Sequence, residues 1–233
     1  MRIRQTTKCV VGTVCLVCGV TRFALCQRVD LQLQKDNLAI AGGYVSNPDG
    51  SGPGGIVGYC FGGRVDASIS LSYISLTTPY PYYWLTPRVV SGPAYAMEFA
   101  AHILKKDSSG QNFGVDLITG FMECSYYGSP EPTHPGIFDD IGRLCYAVSV
   151  QRDFNISPVI SICTSARLEY HTGFHVLSLD LSDRVANDIS EIAIDLGCPL
   201  SISNTSGQTW VIEPSLYIGK RIGLSFMTGY IFR

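Results

Sequence analysis

From Val65 to Tyr73 the chain alternates without a break, with Val65, Ala67, Ile69, Leu71 and Tyr73 on one side and Asp66, Ser68, Ser70 and Ser72 on the other. Successive side chains of a strand point to opposite faces, whereas a helix would scatter this set around its circumference. The pattern demands an extended segment whose two faces meet different environments. No 11-residue stretch from residue 37 onward keeps a convincing helical period, so the expected fold is all-β.

The same rule recovers further strands. Tyr95, Met97, Phe99, Ala101 and Ile103 oppose Ala96, Glu98, Ala100 and His102; Phe113, Val115, Leu117 and Phe121 oppose Gly114, Asp116 and Gly120. Leu144 to Gln151, Ile160 to Tyr170, Leu177 to Ser182, Glu191 to Ser201, Trp210 to Ile218 and Ile222 to Phe232 follow. With Leu38 to Ser46 and Gly54 to Gly62 this makes eleven strands, and Val29 to Gln34 offers a twelfth. Short connections (Gly62 to Arg64, Gly219 to Arg221) mix with longer ones at Asn47 to Gly54, Thr77 to Pro93 and Ser129 to Asp139, where prolines unable to donate to a ladder argue for loops. The glycine-rich Ser51 to Gly55 reads as a mobile loop, since neither a following Lys-Ser/Thr nor a helix makes it a phosphate cradle.

Alternation alone does not say which face is inside. The polar face is built mostly from Ser, Gly and Ala with isolated charges, where an exposed sheet face would carry long solvated Lys, Glu, Thr and Arg. Small residues with scattered charges of both signs suit a crowded polar interior, which places the apolar face against lipid. Charged residues are 15% of the chain, against roughly 25% in an average soluble protein. Tyr73, Tyr95, Tyr170, Trp210, Tyr230 and Phe232 fall near strand ends on the apolar face, where amphipathic rings would meet headgroups. The expectation is a closed antiparallel transmembrane β-barrel of about 10–12 strands; a secreted soluble β-sandwich or barrel acting as a binding module is the alternative.

The first 26 residues read as a cleaved secretory signal: Arg2, Arg4 and Lys8 without an acid, an uncharged stretch from Cys9 to Thr21, and Ala24-Leu25-Cys26 before a cut that frees Gln27. Residues 27–233 then form a single barrel domain. Four of the 17 basic residues leave with the signal and none of the 19 acids, so 13 bases face 19 acids and the net charge is −6. Such a chain repels nucleic acid and has no basic cluster to track phosphates. Five cysteines remain (Cys60, Cys124, Cys145, Cys163, Cys198), odd in number, widely spaced and without C-x-x-C, so they indicate neither a zinc nor a thioredoxin-like site, while one or two cross-strand disulfides stay open.

From Leu38 onward the chain resembles the small, porin-like outer-membrane β-barrel proteins of Gram-negative bacteria, whose last strand alternates apolar residues and closes on an aromatic. "RIGLSFMTGYIF" has that form through Phe232, departing from it at Thr228, which interrupts the apolar file, and at Arg233, which follows the aromatic. The resemblance implies a location in the outer membrane, contact with its lipid, insertion by the barrel assembly machinery, and work as a narrow pore, adhesin, structural anchor or occasionally a lipid-modifying enzyme.

Candidate chemistry is sparse. Glu169, His171 and His175 beside Ser165 resemble an acid, base and nucleophile at the turn between two expected strands, but serine is too abundant here for the grouping to point to an enzyme. With Asp180 added the group lacks any ligand spacing of specificity, so no metal and no cofactor are indicated. Asp66, Glu98, Asp116, Arg143, Arg152, Arg167, Glu169, Glu191 and Asp195 are expected to line the lumen, either wet along a narrow passive pathway for small polar solutes or paired into a plug. Tyr82, Tyr83 and Trp84 in the Pro-rich connection form a candidate recognition surface for a partner of a closed structural or adhesive barrel.

Overall fold

The computed structural model describes residues 37–47, 50–78, 88–105, 112–127, 137–179, 184–204, 208–220 and 222–232. They are strands and connections: β1 (Asn37–Asn47), β2 (Gly50–Phe61), β3 (Val65–Thr78), β4 (Arg88–Leu104), β5 (Phe113–Tyr127), β6 (Ile137–Ser157), β7 (Ile160–Leu179), β8 (Arg184–Gly197), β9 (Leu200–Ser203), β10 (Thr209–Ile218) and β11 (Ile222–Phe232). Neighbours pair antiparallel from β1 to β8, then β8 with β10 and β10 with β11. Pairing of β11 with β1, from Leu38↔Phe232 to Tyr44↔Phe226, closes the ring. Closure leaves no edge strand to recruit another chain.

The ring has ten members, with β9 a short extra segment at its rim. Ile162↔Leu200 keeps the register of Ser165↔Gly197 on β7, and Ile212↔Leu200 keeps that of Ser215↔Gly197 on β10. Pro199 has no N–H, and its carbonyl instead accepts from Cys163 at 2.8 Å. The expected count of eleven differs from the ring at another place: Ile160 to Tyr170 and Leu177 to Leu179, two strands by their alternation, belong to one 20-residue strand, β7. Thr172 and Gly173 interrupt the apolar file without turning the chain, because β6 supplies a continuous ladder alongside. The segment Val29 to Gln34 lies outside the described residues, as do residues 1–26.

Two further expectations change. Ser51 to Gly55 is not a loop: it lies within β2, paired with β1 from Asn47↔Gly50 onward. Pro53 and Pro93 stand inside β2 and β4 rather than in connections, at places where the ladder to one neighbour skips two pairs, between Ser51↔Ser75 and Gly54↔Ser72 and between Ser91↔Tyr127 and Ala94↔Cys124. A missing donor is tolerated where no ladder bond is made.

The β2–β3 connection does follow its sequence. Gly62 and Gly63 both have positive φ (57° and 59°), and Arg64 N–H donates to Phe61 O at 3.0 Å. Two successive positive φ values fit the right-handed twist of the strands that this three-residue connection joins, and glycine reaches them without a Cβ clash.

Candidate lumen site

Strand parity sorts the side chains. On β3, Ile69, Leu71 and Tyr73 are 53%, 66% and 56% exposed, while Ser70 and Ile74 are buried. The other nine ring strands likewise put large exposed apolar residues outside: Ile40 on β1, Val57 on β2, Phe99 on β4, Leu117 on β5, Val148 on β6, Leu168 on β7, Ile192 on β8, Trp210 on β10 and Leu224 on β11. A soluble monomer rarely exposes an apolar patch beyond a few hundred Å²; here the patch encircles the molecule. Thr228, the polar interruption in the last strand, accepts a hydrogen bond from the Trp210 indole N–H at 2.9 Å on this outer face. Trp210, Tyr230 and Phe232 stack in sequence, with ring centroids 5.6 and 5.7 Å apart, at the end of the barrel that carries both ends of the ring.

Inside, the charged residues are organised in levels. Nearest the β2–β3 turn, His102 on β4 stands between two carboxylates, with Nδ1 2.9 Å from Asp116 Oδ1 on β5 and Nε2 3.1 Å from Asp66 Oδ1 on β3. Gln151 on β6 donates from Nε2 to the other oxygen of Asp116 at 2.7 Å. Deeper, the Arg167 guanidinium on β7 lies 2.8 Å from Glu98 of β4 and 2.5 Å from Glu169, and Glu169 also hydrogen-bonds His171 at 2.7 Å. The pair Arg167 and Glu98 spans the lumen, since β5 and β6 separate their strands. Arg143 on β6 pairs with Glu191 on β8 at 3.1 Å, and Glu191 accepts from Tyr217 O–H and from the backbone N–H of Lys220. The β10–β11 turn thus folds in against the lumen, and residue 219 must be small: a Cβ on Gly219 would sit 2.5 Å from Glu191 Oε1.

The apolar inward residues form one cluster along the barrel, from Ala39, Cys60 and Ile231 at the β2–β3 turn end to Val45, Ile74, Ala94, Cys124 and Ile141 at the opposite end, with Met122 and Ile189 packed against it. Beside the ion pairs lies a cavity of about 90 Å³, lined by Ser68, Ser70, Glu98, Cys145, Arg167 and Glu169 among others. It has room for a few ordered waters.

Eight of the nine expected lumen residues point inward: Asp66, Glu98, Asp116, Arg143, Arg167, Glu169, Glu191 and Asp195. Arg152 does not. It shares the parity of Val148 and Val150, is exposed, and holds its guanidinium 5.2 Å from the Phe154 ring centroid on the outer rim. Its long stem lets the charge reach the headgroup level from a lipid-facing position. Tyr82, Tyr83 and Trp84 lie outside the described residues, as does Asp180. Glu169 and His171 are in mid-strand rather than at a turn, and Ser165 is six residues, about 20 Å, along the strand from His171, so these three assemble no nucleophile and base. Among the described residues the five cysteines form no disulfide, four being turned inward and Cys198 exposed. His102, Gln151 and Tyr217 were not singled out from the sequence. His102 shares the face of Glu98, and that parity was the available signal.

A closed ring, an apolar exterior and an ion-paired interior define the class: this is an outer-membrane-type antiparallel β-barrel. No family model matches the sequence, and no curated protein does. Among solved structures, the β domain of the Bordetella autotransporter Brka is similar to it at a TM-score of 0.44 and 12% identity, over 86% of this chain and 99% of that chain.

Proposed function

We propose that the chain is a bacterial outer-membrane protein, exported with residues 1–26 as a cleaved leader and inserted by the barrel assembly machinery, whose lumen is closed and whose role is structural. The observation that carries this is the filling of the bore. Charges from β4, β6, β7 and β8 pair inside it, and beside them a buried apolar cluster runs from Cys60 and Ile231 to Ile74 and Cys124. An open aqueous path would keep such charges hydrated, and it would not be crossed by a water-excluding apolar cluster. A closed barrel acts through what it displays, and the longer connections, including the one with Tyr82, Tyr83 and Trp84, offer a surface for a partner.

Planar-bilayer recording of folded protein tests this reading, with no current steps expected. Regular steps would favour the second reading, a narrow passive pore for small polar solutes, which draws on the cavity lined by Ser68, Ser70 and Glu98. Replacing Tyr82, Tyr83 and Trp84 together by serine should abolish partner or cell binding while leaving the folded band on a gel unchanged.

A further inference from the structure

We propose that Cys60, Asp66 and His102 form a site for a zinc-type divalent metal ion inside the barrel, next to the β2–β3 turn. Their donor atoms, a sulfur, a carboxylate oxygen and an imidazole nitrogen, lie within 4.8 Å of one another. Sulfur, nitrogen and oxygen donors together are what a zinc-type ion takes.

Two local features bring them there. The Gly62-Gly63 turn sets Cys60 directly across from Asp66 in the β2–β3 register. Cross-strand partners on one face have their Cβ atoms about 5 Å apart. On β4 the register shifts between His102 and Leu104, a bulge that leaves Ile103 without a place in the β5 register. Bulges re-aim neighbouring side chains, and the ring of His102 is held between Asp66 of β3 and Asp116 of β5.

The surroundings of His102 carry the inference furthest. Asp116 takes Nδ1, and Gln151 holds Asp116 from behind. A carboxylate on one ring nitrogen fixes the tautomer and presents the other nitrogen, the arrangement usual behind a metal-bound histidine. Nε2 and Asp66 Oδ1 are both buried and stand 3.1 Å apart, an ion pair when the ring carries both protons and two converging donors when Nε2 is bare. That separation is close to the roughly 3.3 Å between two ligands each about 2.0 Å from a tetrahedral zinc. A small rotation of Cys60 completes a three-ligand set, leaving the fourth position to water. Binding displaces the Cys60 thiol proton, and the Nε2 proton where His102 carries one.

The interior is rich in acid: Asp116, Glu169, Glu191, Asp195 and Glu213 are buried carboxylates, and the buried basic groups among the described residues are Arg143, Arg167 and His171. A second cluster, Cys145, Glu169 and His171, has comparable donors, but there Arg167 already lies 2.5 Å from Glu169 and donates to Cys145 Sγ at 3.4 Å. The Cys60 cluster has Lys105 nearby, an ammonium that offers no lone pair and is no ligand. The proposal does not depend on the barrel being closed.

Cobalt(II) is the probe. Protein purified from membranes in detergent, stripped with chelator and desalted, should bind one equivalent, giving a thiolate-to-cobalt charge-transfer band and tetrahedral d–d bands that zinc(II) bleaches. Cys60→Ser should abolish the charge-transfer band, Cys145→Ser should leave it intact, and Asp116→Asn should weaken binding about 10- to 100-fold. Absence of the bands in the unmutated protein, their survival in Cys60→Ser, or their loss in Cys145→Ser would overturn the site. Should Cys60→Ser fail to fold, X-ray absorption at the cobalt edge of the unmutated protein decides instead. One sulfur scatterer among nitrogen and oxygen supports the site, and none, or two, overturns it.

Discussion

Arg167 occupies a place where a charge survives only in company. It is 2% exposed and lies against Glu98 and Glu169. Arg167→Met leaves two carboxylates with no guanidinium, and breaking a buried pair from one side costs about 3–5 kcal/mol. The urea midpoint of the folded band on a gel should fall accordingly, and the double variant Arg167→Met/Glu169→Gln should recover part of the loss, since neighbours in one network are not additive. Arg152→Ala should cost less than about 1 kcal/mol, because its contact with Phe154 is on the exposed rim. The two arginines also mark what parity reads well and where it was misapplied. Arg167 alternates with Ala166 and Leu168, so its inward direction is legible. Arg152 sits one residue past Gln151, and placing it inside broke the register that Leu144, Val148 and Val150 had set.

Strands carry the contrast between the two faces. Leu71 is well inside the outer belt on β3 and 66% exposed, whereas Phe61 ends β2 at the turn. In a bilayer Leu71→Arg should destabilise the barrel by about 2–4 kcal/mol and Phe61→Arg by about 0–1 kcal/mol. Folding titrations in lipid vesicles measure this; equal costs at the two depths would mean that no hydrocarbon surrounds the belt. Strand existence was legible throughout, because period-2 patterning is local. Strand ends were less so. β7 runs through Thr172 and Gly173 for 20 residues because β6, with 21, pairs along its whole length. Pro53 and Pro93 read as loop residues until the ladder gaps beside them are known. Both facts depend on neighbouring strands far away in sequence, which composition does not report.

A ring of ten strands returns the chain to the side from which it started, so Asn37 and Phe232 lie at the same end. The β3–β4 and β5–β6 connections leave from the opposite end. Tags fused before residue 37 of the mature chain and after residue 233 should therefore be shielded together in intact cells, while an epitope placed in residues 128–136 should be accessible. Surface labelling before and after permeabilisation checks this, and opposite labelling of the two tags would contradict an even ring. The sequence by itself determined the all-β class, the faces of most strands and the kind of interior, because alternation and side-chain size are written residue by residue. Only the tertiary structure decided the strand number, the closure of β11 on β1 and which charges pair inside. Arg167 of β7 meets Glu98 of β4 across the lumen only once the sheet has curled shut, whereas His102 meets Asp66 and Asp116 on the two strands paired beside it. Such pairs join strands whose separation in sequence carries no periodic trace, so the small polar residues opposite Ile69 and Leu71 announced an interior without saying whether it was a pore or a plug.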